Sequence, residues 1–155
     1  MEMSEQKVKE WIDQELIEEV HEVDHEGRYE FSLYLKTGAY GIHVYNISEN
    51  EPLIVETDVN LPPELKTMLI DHPDSNHAET LLISVLTNSP GSYFILDEEG
   101  RACTLEKADK INLEKRLYPE VTQQQFMDSV MGIISASRFS AKVLDQYTEN
   151  IDSER

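Results

Sequence analysis

The sequence has very little cysteine, and this absence limits where the chain is expected to work. Cys103 is the only cysteine among 155 residues, so an intramolecular disulfide is excluded and a reducing compartment such as the cytoplasm is expected. We predict that Cys103 is a buried, unreactive thiol. Met1 is followed by Glu2 and Glu5 rather than by basic residues and an apolar run, so no secretory signal is expected.

Basic side chains are also scarce. The chain has 13 Lys and Arg against 31 Asp and Glu, which gives a formal net charge of -18. Such a surface repels phosphate backbones and anionic membranes, so binding to either would require a basic patch. The nearest approach to a patch is a set of cations interspersed with acids: Lys107, Lys110, Lys115 and Arg116. We interpret this set as a solvated strand face. We therefore expect neither nucleic acid nor a membrane as a partner. The excess of acidic residues is consistent with a salt-rich cytoplasm or with a basic partner.

Long hydrophobic runs are missing as well. The longest apolar clusters, residues 81–86 and 131–134, are far too short to cross a bilayer. Hydrophobic residues nevertheless make up 39% of the chain, enough for one compact core at this length. We predict a single domain over residues 1–155, with a frayed polar tail at residues 148–155.

The hydrophobic residues that are present change their period along the chain. A helical period begins after Ser4, the predicted cap, and runs through Trp11 and Leu16 to Val20. A period of two follows, which predicts strands near residues 29–35, 40–47 and 53–59 joined as an antiparallel meander.

The second half of the chain repeats this succession of helix, strands and helix. Pro62 and Pro63 begin a helix that breaks at residues 72–74 and resumes at Ser75. A hairpin is predicted with strands at 93–96 and 102–105, and a further strand at 111–118. Thr122 and Gln125 then stand at capping-box spacing before the last helix. We predict that its small residues pack against the first helix, with dimerisation through them as the alternative: Ser129, Gly132, Ala136 and Ser140.

One string has the form of a catalytic motif. Residues 21–25 read H-E-x-x-H, in which a helix presents two histidines to zinc and the glutamate activates water. On a continuous first helix, however, His21 and His25 would point to solvent, whereas catalytic zinc needs a dry, shaped site. If the helix ends near Glu19, the histidines are no longer one turn apart. We interpret them as solvent-exposed, and a zinc-dependent hydrolase using His21, Glu22 and His25 is the alternative function.

Other candidate sites are less specific. His72, Asp74 and His77 are suitable metal ligands, but they are also ordinary turn and helix-start residues. The chain has neither a G-x-S-x-G elbow nor a glycine-rich phosphate loop among its six glycines. Three tyrosines are predicted to form cross-strand pairs rather than a binding strip: Tyr34, Tyr40 and Tyr45. We therefore predict no catalytic residue, no cofactor and no metal ligand.

The predicted fold class is α+β with two layers, in the order α-β3-α-β2(or 3)-α, with an antiparallel sheet and helices mainly on one face. This order, the strand run at 29–59 and the passage at 111–126 into the last helix resemble the type III secretion chaperone-like fold, including related prokaryotic families of unassigned function. The likeness covers nearly the whole chain.

Members of that group are typically cytoplasmic, often dimeric and non-enzymatic, and the secretion chaperones hold partly unfolded effector segments against an apolar surface. The resemblance implies a chaperone-like module that binds a protein or peptide segment, with a homodimer as the assembly to test for. Small-molecule sensing in a pocket between sheet and helices is a further alternative.

Overall fold

The computed structural model describes residues 4–12, 15–24, 26–48, 51–70, 80, 83 and 92–154. Across them the elements are α1 (Glu5–Trp11), β1 (Glu19–Glu22), β2 (Phe31–Thr37), β3 (Tyr40–Asn46), β4 (Leu53–Asn60), α2 (Pro63–Ile70), β5 (Ser92–Leu96), β6 (Lys110–Leu117) and α3 (Gln123–Glu154). Within these residues six strands form one antiparallel sheet in the order β1-β2-β3-β4-β6-β5. The α+β class is therefore confirmed.

The first helix is shorter than the sequence predicts. Ser4 caps it as expected, because its Oγ accepts from the amide of Lys7 at 3.2 Å, but Ile12 is already extended. The predicted continuation to Val20 is wrong, since β1 occupies this stretch and pairs with β2. The inward residue here is Ile17, which is 3% exposed, whereas Leu16 is 43% exposed. Sheet pairing thus overrides a helical spacing that the apolar residues satisfied only by coincidence.

The predicted meander is confirmed for β2, β3 and β4, which pair antiparallel with bounds close to those expected. A two-residue turn joins β2 to β3, and Gly38 adopts there the positive φ of 58° that favours glycine. One face of the meander is buried and carries Leu33, Val44 and Val55. We call the other face, which carries Ser32, Tyr34, His43, Tyr45 and Glu56, the polar face.

The predicted hairpin after β5 is only partly present. Its turn forms around Asp97, whose carboxylate accepts from the amides of Glu99 and Arg101 at 2.9 Å. The return strand predicted at 102–105 is wrong. In residues 92–154 a single bridge joins Leu96 to Ala102, after which the chain enters a 3-10 turn at Leu105–Lys107.

Cys103 lies just beyond that bridge and is half-buried, whereas the sequence predicts a buried thiol. Its Sγ is 3.8 Å from the carbonyl oxygen of Ile95. Desolvation and, second, the charge of Asp97 raise the pKa of the thiol, which keeps it in the unreactive protonated form.

α2 begins at Pro63, as the sequence predicts. Lys66 on this helix pairs with Asp109 at 2.8 Å, and the amide of Leu61 donates to the carbonyl of the same aspartate at 3.0 Å. The predicted break at 72–74 and the segment from Ser75 lie outside the described residues. So do the candidate metal ligands there: His72, Asp74 and His77.

The last helix begins with the predicted capping box. Thr122 Oγ1 accepts from the amide of Gln125 at 3.2 Å, while Gln125 Oε1 accepts from the amide of Thr122 at 2.9 Å. Gln123 and Phe126 contact Trp11 at the end of α1. Packing of the small residues of α3 against the first helix stays a prediction.

α3 continues to Glu154, through most of the segment 148–155 that the sequence predicts to fray, and the fraying itself stays a prediction. No glycine or proline interrupts the sequence there, so the helical hydrogen-bond pattern can continue to the end. Among the small residues on α3, Ser129, Ala136 and Ser140 are buried and Gly132 is half-buried.

The chain divides into two compact units. The first comprises Met1–Thr57 and Glu114–Ile134, and its fully buried side chains include Val8, Leu33, Ile42, Leu53 and Phe126. The second comprises Asp58–Leu113 and Ser135–Arg155, and its most buried side chains are Leu65, Ile111, Leu113 and Leu144. The single-domain organisation stays a prediction.

The capping box gives a first testable prediction. Replacing Thr122 by Ala removes the acceptor for the Gln125 amide, so we expect the free energy of unfolding to fall by about 1 kcal/mol. Urea unfolding followed by circular dichroism measures this difference. Thr122→Ser keeps the hydroxyl and serves as the control. An equal loss in both variants would mean that the methyl group, and not the cap, stabilises the helix start.

Candidate functional site

The described part of the H-E-x-x-H string, residues 21–24, does not lie on a helix. His21 and Glu22 are neighbours on β1, where His21 is paired with Tyr34 and Glu22 with Leu33, so the two side chains point to opposite faces of the sheet. His21 lies 3.1 Å from Glu19 and is exposed. His25 lies outside the described residues. The helical spacing that the zinc motif requires is therefore not met.

Metal sites are not evident elsewhere in the part of the chain that the structure describes: no three His, Cys, Asp or Glu side chains there come close enough to hold an ion. In the same residues, no helix has both the length and the apolar character needed to cross a membrane.

A groove runs along β1 and α1. We call this the edge groove; its volume is about 500 Å3 and its lining comprises Lys9, Ile12, Val20, His21 and Glu22. The ammonium of Lys9 donates to Glu22, and this hydrogen bond lowers the pKa of that carboxyl, which stays ionised at neutral pH. Val20 and the neighbouring Leu16 and Val23 are exposed apolar side chains. The groove thus combines apolar side chains with fixed charges at the edge of the sheet.

A chain of hydrogen bonds crosses the polar face from β2 to β4. Ser32 Oγ lies 2.5 Å from His43 Nε2, and His43 Nδ1 lies 3.4 Å from Glu56 Oε1. Tyr45 donates its hydroxyl to Glu56 Oε2, also at 3.4 Å. We call these four residues the polar array. Because they stand at adjacent positions of three paired strands, the sheet itself fixes their separation.

Aromatic rings cover one side of the array. The ring of Tyr45 lies 4.6 Å from that of Tyr29 and 4.6 Å from that of His43, measured between centroids. Burial, followed by the charges of Glu56 and Glu114, raises the pKa of Tyr45 well above its ordinary value. The phenol is therefore protonated throughout the physiological range and acts as a donor to the carboxylate.

The three tyrosines for which the sequence predicts cross-strand pairs do not all lie on one face of the sheet. Tyr34 and Tyr45 share the polar face, but Tyr40 is paired with Thr37 and belongs to the opposite face. Tyr34 instead lies over Gly41: a Cβ built on this glycine would be 1.6 Å from the Tyr34 hydroxyl oxygen. The neighbours of Tyr45 on the polar face are Tyr29 and His43.

A small pocket opens beside the array. Its volume is about 250 Å3, and its lining comprises Ser32 and His43 together with Val23, Asp24, Glu26, Arg28 and Tyr29. Ser32 is only 3% exposed, whereas the side chain of His43 is 27% exposed. A buried hydroxyl and a half-buried imidazole therefore meet at the wall of a space that a small molecule can enter.

Two of the four cations noted in the sequence have acidic partners. Arg116 lies 2.8 Å from Glu114, and Lys110 lies 3.5 Å from Asp58. This agrees with the interpretation as a mixed strand face, while the exclusion of nucleic acid stays a prediction.

The comparisons with known proteins bear on the fold alone. No protein-family model matches the chain, and no curated protein matches it. A solved structure is similar to it: the crystal structure of an uncharacterized protein from Methanothermobacter thermautotrophicus. The TM-score is 0.71 at 11% sequence identity, over 94% of this chain and 99% of that one. At this identity the match supports a shared fold, and the function must be inferred from the chain's own residues.

Proposed function

We propose that the protein is a chaperone-like module that binds an extended, basic segment of a partner protein along the outer edge of β1. In the described sheet β1 is a terminal strand and is paired with β2. The unused side of a terminal strand offers backbone donors and acceptors to an incoming chain. This open edge is the observation that carries the proposal.

The hydrogen bonds to β2 identify which groups face outward. The amide of Val23 donates to the carbonyl of Ser32 at 2.9 Å, so Val23 faces β2. Inward and outward residues alternate along an antiparallel strand. The backbone groups of Glu22 and Val20 therefore face the open side, where a partner strand would pair with them.

The side chains around the edge favour a particular kind of partner. Leu16, Val20 and Val23 are 43%, 39% and 38% exposed. Val20 stands opposite Leu35 and Val23 opposite Ser32, so these two valines point to opposite faces of the sheet, and an added strand would meet an apolar side chain on each face. The carboxylates of Glu19 and Glu22 and the net charge of -18 favour a basic segment. A second copy of this chain would instead bring like charges together across the new pairing.

The resemblance to secretion chaperones supports the same proposal, since those proteins hold extended segments. The proposal includes helices packed mainly on the face opposite the polar face, and a cytoplasmic location consistent with the single cysteine. Binding of this kind requires no cofactor and no catalytic group.

A pair of short fluorescein-labelled peptides tests the proposal by fluorescence anisotropy. One alternates Val with Lys, and its control alternates Val with Glu. We expect the basic peptide to bind more tightly. Val20→Pro removes an outward donor while leaving the pairs with β2 intact, so the affinity should fall by about tenfold. Val20→Ala keeps the donor and measures the side-chain contact separately.

Equal binding of both peptides, or unchanged affinity in Val20→Pro, would contradict the proposal. Light scattering on the same samples gives a further outcome against it. The wild-type protein could have twice the 17.9 kDa mass of one chain, while Val20→Pro has the mass of a single chain. That result would mean that the edge of β1 binds a second copy of this chain instead.

A further inference from the structure

The polar array has the atomic order of a hydrolytic triad. A hydroxyl, an imidazole and a carboxylate follow one another through Ser32 Oγ, His43 Nε2 and Nδ1, and Glu56 Oε1, at 2.5 and 3.4 Å. Such constellations are recognised by geometry and not by chain order, and the base and its orienting group often stand somewhat apart without substrate. We propose that Ser32 is a nucleophile for short, uncharged acyl groups, with His43 as its general base and Glu56 as the positioning residue.

The strands hold these groups in place. Ser32 and His43 come from β2 and β3, and Glu56 stands opposite His43 on β4. A site built on paired strands is held more precisely than one built on loops. Tyr45 donates to the second carboxylate oxygen of Glu56, and its ring lies against His43, so the carboxylate and the imidazole are both restrained.

The pocket beside Ser32 determines the class of substrate. Its volume of about 250 Å3 is smaller than a site for a drug-sized ligand, which limits the acyl group to a short chain. Asp24 and Glu26 lie in its wall and repel anionic groups. The site therefore fits a short, uncharged carboxylic ester. Arg28 is a cationic residue of the same wall, and its guanidinium lies 3.9 Å from Glu26.

Water is the only co-reactant that the reaction requires. Ser32 Oγ attacks the ester carbonyl carbon while its proton passes to His43 Nε2. The C–O bond to the leaving alcohol then breaks, and the alcohol takes that proton. Water attacks the acyl-serine in the same way, releases the acid and restores the hydroxyl of Ser32. The sum is an ester plus water giving an acid plus an alcohol.

A fluorophosphonate probe, which reacts with activated serines, tests the proposal directly. We expect the wild-type chain to gain one label, and peptide mass spectrometry to locate it on Ser32. Labelling should disappear in Ser32→Ala and persist in Ser4→Ala, which removes an exposed helix-capping serine. The rate should fall by about a hundredfold in His43→Ala. Circular dichroism checks that each variant is folded.

Hydrolysis of p-nitrophenyl acetate gives the second readout, measured against Ser32→Ala to subtract surface reactions. Glu56→Gln should change the pH dependence of the labelling rate. If Glu56 only stabilised the fold, this pH dependence would stay the same. A wild-type chain that stays unlabelled at Ser32 and hydrolyses the ester no faster than Ser32→Ala would overturn the proposal. The probe reports on Ser32 alone, so this outcome is distinguishable from a failure of binding at β1.

Discussion

Replacing Phe126 by Ala is expected to lower the free energy of unfolding by about 3–5 kcal/mol. The phenyl ring is fully buried, and its centroid lies 5.8 Å from that of Trp11. It also stands in the first turn of α3, where its amide donates to the carbonyl of Thr122 at 3.0 Å. Truncation therefore leaves a cavity at the point where the ends of two helices meet, and removes an aromatic contact in addition to the buried area.

The chain provides its own probe for this measurement, because Trp11 is its single tryptophan. Urea unfolding should be followed by tryptophan fluorescence and by circular dichroism together. Phe139→Ala is a matched control on the same helix, since Phe139 is 49% exposed and should change stability by less than about 0.5 kcal/mol. If the two alanine variants were equally stable, the contact between α1 and α3 would not be part of the cooperative core.

Asn46→Ala should cost about 1–3 kcal/mol, although the side chain is polar. Asn46 is completely buried, and its amide donates to the carbonyls of Glu51 and Pro52 at 3.1 and 3.3 Å. These bonds tie the end of β3 to the start of β4. Alanine leaves the two carbonyls without this donor and loosens the connection that keeps His43 opposite Glu56.

The same urea assay measures the cost of Asn46→Ala, with Asn60→Ala as the control, because Asn60 is exposed at the end of β4. We also expect slower reaction of Ser32 with the fluorophosphonate probe, since the alignment of the array depends on the strand register. A variant as stable as the control would show that water replaces the amide without loss.

The parts of the fold that the sequence predicts correctly are those that local signals decide. Alternation and a two-residue turn with Gly38 are enough for the β2–β3 hairpin, and the spacing of Thr122 and Gln125 is enough for the start of α3. β1 is different. Its pairing with β2 joins residues far apart in the sequence, such as Val20 and Leu35. No local sequence pattern predicts such a contact, so the helical spacing of the apolar residues indicates a longer first helix than the one that forms.

The polar array was missed for a related reason. Ser32 and His43 are separated by 11 residues, and His43 and Glu56 by 13. The short turn after β2 fixes the first hairpin's register, so the sequence could have placed Ser32 and His43 near each other on one face. The longer connection between β3 and β4 leaves the register of Glu56 open. H-E-x-x-H is a recognisable string of consecutive residues, whereas Ser32, His43 and Glu56 form no such string.

Tyr34 resting on Gly41 makes these two positions interdependent during sequence divergence. A methyl group at position 41 would collide with the phenol, and the backbone there is also held by Thr57, whose hydroxyl donates to the carbonyl of Gly41 at 2.7 Å. The strand cannot simply retreat, so a larger residue at 41 requires a smaller or displaced one at 34. In related chains, the residues at positions 34 and 41 should therefore change together. A larger residue at one position should accompany a smaller residue at the other, so that their combined volume is conserved.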